Sequence, residues 1–145
     1  MLGICMVKEL KVSGFLGLTV MMSVGMYQNV LNATGEGVPG WLIGGHAHLG
    51  VLSIIAIVLG VAIPTLGMAD RYRTLVTWTF IPGQWGLPLV PWLAVGGGLE
   101  VLHPTAFLSG GLLIVSMLVL TWQAAVAPEA EPGERGDPES IVADD

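Results

Sequence analysis

Three histidines, His46, His48 and His103, are the side chains best suited to chemistry in this chain. Imidazole titrates near neutrality and is a common ligand of metals and of haem iron. Two of the three stand in G-G-H-A-H-L-G (44–50), early in a long apolar stretch. On a helix, His48 lies on the order of 10 Å past the start of that stretch at Trp41. An ionisable group at such a depth in a membrane is costly and usually faces protein. The two rings are about 200° apart around a helix, so one regular helix cannot aim both at one ion. His48 is the candidate metal ligand. His46 is a candidate for a second role in the same cofactor site, or for a neighbouring subunit. The plainer reading is a neutral histidine hydrogen-bonded to the next helix. Gly44, Gly45 and Gly50 favour a bulky neighbour, because a glycine lets another group approach the backbone closely.

Other polar groups sit at a similar depth. Tyr27, Gln28 and Asn29 come near the end of the first apolar stretch, and Glu100 and His103 lie in the segment before the fourth. Gln84 is the one strong hydrogen-bonding side chain in the middle of the third stretch. Trp78, Trp85 and Trp92 recur every seven residues, one stripe if the helix is continuous. They read either as packing and interface anchors or as an aromatic wall against a flat cofactor. Tyr27, Asn29, Gly45, Gln84 and Trp85 therefore join His46 and His48 as candidate cofactor-binding residues. No catalytic residue is assigned.

The elements that must position these groups are four charge-free apolar runs, over 12–31, 41–67, 74–99 and 105–127. Each is long enough to cross a bilayer core, which takes roughly 20 helical residues. Pro82, Pro88 and Pro91 interrupt the third, and a broken helix at membrane depth requires its freed carbonyls to face protein or a cavity. The connections are short and rich in turn formers, so sequential helices run antiparallel.

Composition agrees. The 145 residues are 53% hydrophobic and 11% charged, with a mean hydropathy of +0.76. A soluble domain carries about 25% charged residues. The whole net charge of −6 belongs to the tail, where seven acids face Arg135 alone; elsewhere four acids balance four bases. This reads as an all-α integral membrane four-helix bundle (residues 1–127) with a disordered acidic tail (128–145). Lys8 and Lys11 flank the first run, and Arg71 and Arg73 lie between the second and third. The positive-inside rule then predicts a multi-pass protein of the cell membrane with both termini cytoplasmic. No cleavable signal peptide is expected. Asn32-Ala33-Thr34 is a glycosylation sequon on the predicted outer loop. One cysteine, Cys5, excludes an internal disulfide. Few lysines and an acidic tail suit a salt-adapted organism. Phosphate-loop, dinucleotide, C-x-x-C and HExxH motifs are absent, and no basic patch suggests nucleic acid.

Two runs, V-G-M-Y-Q-N-V-L-N-A-T-G-E-G-V-P-G (24–40) and H-A-H-L-G-V-L-S-I-I-A-I-V-L-G-V-A-I-P-T-L-G-M-A-D (46–70), resemble styrene oxide isomerase and its relatives. The resemblance covers about a third of the chain and weakens from the third run onward. It implies a four-span homotrimer that binds haem b near subunit interfaces, with the axial histidine at His48. It also implies that the haem iron acts as a Lewis acid, opening a small apolar epoxide to an aldehyde without net redox change. The chain departs from that pattern at Ile54, where the family has asparagine, and near Gly83 and Pro91, where it has aspartate and tyrosine. His46 replaces its basic residue two before the ligand. Three functions follow: a haem Lewis-acid isomerase, a membrane haem protein for gas sensing or electron transfer, or a structural or solute-handling membrane protein without haem.

Overall fold

The computed structural model describes residues 2–126, with side chains from residue 8 onward; the acidic tail lies outside them. Among the described residues the chain is all-helical. Helix α1 spans Leu2–Thr34, α2 Gly40–Thr65, α3 Asp70–Pro91 and α4 Thr105–Val126. A π-helical turn, Trp92–Gly96, and a short 3-10 turn, Glu100–Leu102, join α3 to α4.

The turns follow from local chemistry. Helix α1 runs three residues beyond its expected apolar end and stops at Gly35, whose φ of 77° is open to glycine. The amide of Gly35 then donates to the Asn32 carbonyl (3.2 Å), and that of Glu36 to Leu31 (3.1 Å). These paired bonds satisfy carbonyls that the helix end would leave orphaned. Asn32 and Thr34 of the sequon thus belong to the last helical turn.

Three segments, Lys8–Thr34, Gly40–Thr65 and Glu100–Val126, are long and apolar enough to cross a membrane. Their outward faces are apolar: Phe15, Met22, Val58, Phe107 and Leu118 are all exposed. Such a surface is foreign to a soluble monomer. Helix α3, expected to match them, is less apolar than the other three. It carries Asp70, Arg71 and Arg73 in its first turn and Gln84 in its middle. It also packs against each of the others, so Gln84 and Thr79 find partners inside the protein, while Asp70 and Arg71 stay exposed at its start.

Small residues bring the helices close. A Cβ at Gly14 would meet the Ser53 carbonyl at 2.7 Å, and one at Gly17 would collide with the Ser53 hydroxyl. On the other side of α3, a Cβ at Gly83 would meet Leu113 at 2.7 Å, and Thr79 and Ser116 share a 2.6 Å hydrogen bond. An apolar core of Leu10, Ala56, Ile63, Val76, Phe80 and Leu120 fills the end of the bundle where α1 begins.

Candidate functional site

A groove of about 460 Å³ opens at the other end, between α2, the end of α3 and the start of α4. Helix α2 contributes Trp41, Gly44, Gly45 and His48, and α3 contributes Leu87, Val90 and Pro91. His103, Ala106 and Phe107 close the third side. The lining is apolar apart from the two imidazoles and backbone groups.

His48 is exposed in this groove, and its Nδ1 lies 2.7 Å from the Gly44 carbonyl. A carbonyl only accepts, so Nδ1 carries the proton and Nε2 carries the free lone pair. Metal-bound histidines are held this way, one ring nitrogen tied to a carbonyl and the other left for the metal. A Cβ at Gly44 would meet nothing within 4 Å, so the space beside the imidazole is open.

His46 points away from the groove, toward α1. Its Cε1 lies 3.0 Å from where a Cβ of Gly25 would stand, and its Nδ1 is buried without a partner. The equivalent carbonyl for His46, that of Leu42, already accepts from Gln28 Nε2 at 3.1 Å. One histidine is therefore fixed in a single tautomer facing a groove, and the other is wedged between two helices.

The remaining candidates separate. Gly45 lines the groove, but its missing Cβ makes room for the protein's own Trp92, with which any side chain would collide. Gly50 is likewise filled by Met21. Tyr27 and Asn29 are exposed on α1 and do not line the groove. Gln84 is fully buried elsewhere. It accepts from Ser13 Oγ at 2.9 Å and donates to Ser53 Oγ at 3.1 Å and to the Ser13 carbonyl at 3.3 Å. Trp85 Nε1 donates to the same Ser13 hydroxyl at 2.9 Å. Gln84 and Trp85 thus tie α1, α2 and α3 together at mid-bundle, where unpaired polar groups would be costly. The tryptophan stripe is also divided. Trp78 and Trp85 flank a furrow along α1, whereas Trp92 opens the π turn and lies against α2.

Trp41, Leu87, Val90 and Pro91, which the sequence did not single out for this site, carried a signal in their spacing. Trp41, Gly44, Gly45 and His48 fall at i, i+3, i+4 and i+7 of one helix, and Leu87, Val90 and Pro91 at i, i+3 and i+4 of another, so each set shares a face. Pro91 has no N–H, so the Leu87 carbonyl has no i+4 donor. The amide of Trp92 turns back to the Leu89 and Pro88 carbonyls instead.

The site suits a ligand that brings its own coordination plane. Among the described residues no three His, Cys, Asp or Glu side chains gather around one point. A haem needs only one or two axial side chains. The free Nε2 of His48, the open space at Gly44 and the apolar walls fit that group. Among the described residues no lysine or arginine stands at this end, so acidic groups on the ligand must remain in water.

A family model described as a domain of unknown function (DUF8059) matches residues 6–145. No curated protein and no solved structure matches the chain.

Proposed function

The chain belongs to the DUF8059 family, whose description names no activity, and we propose that it is a four-span membrane protein holding haem b on His48. The observation that carries this reading is the 2.7 Å bond from His48 Nδ1 to the Gly44 carbonyl, which leaves Nε2 unengaged on a residue that lines the groove. Helix α3 completes the four spans, its charges confined to one end and its central amide bonded within the bundle. Lys8, Lys11, Arg71 and Arg73 at that end make it cytoplasmic. The groove is open along its side, which suits a homo-oligomer, a trimer by family likeness, whose neighbour covers the cofactor.

When bound, the haem iron supplies Lewis acidity that can polarise an epoxide oxygen. The chain's own residues do the rest. His48 would anchor the cofactor, Gly44 leaves it room, and Leu87, Val90, Ala106 and Phe107 give the groove an apolar lining that favours an apolar ligand. This supports isomerisation of a small apolar epoxide. A second reading is favoured by His103, whose side chain lines the same groove. His48 and His103 would together hold the haem, which would then supply electron transfer rather than Lewis acidity.

The test is an absorption spectrum of the detergent-purified protein, as isolated and after reduction with dithionite under CO. A Soret band that shifts with CO supports an open iron and leads directly to an aryl epoxide turnover assay. A Soret band indifferent to CO favours the His48–His103 pair. Colourless protein from haem-replete cells overturns the haem reading and leaves a structural or solute-handling membrane protein.

A further inference from the structure

A second concavity runs between α1 and α3, at the end opposite the histidines. Two cavities of about 250 and 380 Å³ share Glu9 and Ile81 and so form one furrow. It begins at Lys8 and Glu9 and is closed at mid-bundle, where Trp85 Nε1 donates to Ser13 Oγ across the gap between the helices. Between these ends its banks are apolar, with Leu16 on α1 and Trp78 on α3.

Length and charge define what fits. Lys8 to Leu16 and Thr77 to Trp85 each advance about 12 Å along a helix. One leaflet of the hydrocarbon core is about 15 Å deep. A helix from a second copy would run the full depth of about 30 Å, about twice the length of this furrow. At the mouth, Lys8 and Glu9 are exposed. Among the described residues the same end also carries Lys11, Arg71 and Arg73, with Glu9 and with Asp70, which lies 3.7 Å from Arg73. The tail's acids lie outside the described residues, and Lys8, which lines the furrow itself, is the group a phosphate would meet. Trp78, 65% exposed, stands on the bank near that level, as an interfacial tryptophan does.

We propose that this furrow is a lipid site, holding one acyl chain of an inner-leaflet phospholipid with its phosphate against Lys8. The site rests on the four-span reading and not on haem. Glu9 beside Lys8 moderates the field, so the phosphate is recognised by a point charge rather than by a broad basic patch.

The test uses full-length protein in detergent, incubated with phosphatidylglycerol or with diacylglycerol of the same chains, which lacks the phosphate. Native mass spectrometry reads the bound lipid. One phosphatidylglycerol should persist per chain, retained more strongly than diacylglycerol. Lys8→Gln should weaken phosphatidylglycerol about fivefold, the scale of one basic residue at an anionic surface. Leu16→Trp places an indole in the furrow from an exposed position and should abolish the adduct with helical content unchanged. Equal retention of the two lipids, or full retention by both variants, overturns the proposal. If Leu16→Trp does not fold, Lys8→Gln decides alone, since Lys8 is exposed and makes no side-chain hydrogen bond or ion pair among the described residues. Protein that fails to float with vesicles overturns the four-span reading itself, and that result is distinct from a floating protein that holds no lipid.

Discussion

His46 and His48 differ by two positions and have different surroundings. His48 lines a groove and bonds the carbonyl four residues back through Nδ1, which leaves Nε2 unengaged. His46 finds the equivalent carbonyl occupied by Gln28. His48→Ala should therefore reduce haem per protein about tenfold or more, since even groups that merely orient a metal ligand are worth about 10–100-fold. His46→Ala should leave haem content near that of the wild type, as read by the pyridine haemochrome spectrum. Equal loss in both would remove the distinction drawn from the tautomer. Gln84 belongs to stability. Gln84→Leu leaves the Ser13 and Ser53 hydroxyls without their amide partner. Interhelical hydrogen bonds in membranes average about 0.6 and reach about 1.7 kcal/mol, so unfolding in mixed micelles should be easier by about 1–2 kcal/mol. Ligand content should not change.

At the scale of elements, close helix approach decides which glycines tolerate substitution. Gly17 lies against Ser53 and Gln84, and any side chain there pushes α1 from α2. Gly17→Val should cost about 1–3 kcal/mol, the usual range for overpacking, measured as a lower unfolding midpoint. Gly44 and Gly45 are neighbours with opposite expectations. Gly44→Val projects into open space beside His48 and should keep the fold while lowering haem loading. Gly45→Val collides with the Trp92 indole and should disturb the π turn and the outer end of the bundle. Tryptophan emission should shift in Gly45→Val and stay unchanged in Gly44→Val. A reversed pattern would mean that the two residues have been placed on the wrong faces.

For the whole molecule the prediction is topological. Both the start of α1 and the α2–α3 turn lie at the basic end of the bundle, since Glu9 and Thr77 border one cavity. Cys5, the only cysteine, should be labelled by an impermeant maleimide in inverted membrane vesicles and protected in intact cells. Glu36→Cys in a Cys5→Ser background should behave in the opposite way, because Glu36 is exposed at the far end. Labelling of both from one side would mean that α1 does not cross the membrane between them.

The helical class, the three strongly apolar helices and the acidic tail were legible because they depend only on composition and run length. The depth of the histidines was legible too, because helical rise is constant. Sequence did not reveal the partners. Tyr27, Asn29, Gln84 and Trp85 lie at plausible depths for the His48 site, yet depth says nothing about the direction a side chain faces. Helix α1 turns Tyr27 and Asn29 outward, and the Ser13 and Ser53 hydroxyls engage Gln84 before it could serve a groove. Sequence also treated Gly44, Gly45 and Gly50 alike as room for a ligand. Only the packing assigns Gly45 to Trp92 and Gly50 to Met21 and leaves Gly44 free. Composition and spacing determined an all-helical protein with helices long and apolar enough to cross a membrane, and with its histidines at the end away from its basic residues. The rotation of each helix about its axis, fixed by which small residues meet which large ones, decided that His48 and His103 share one groove.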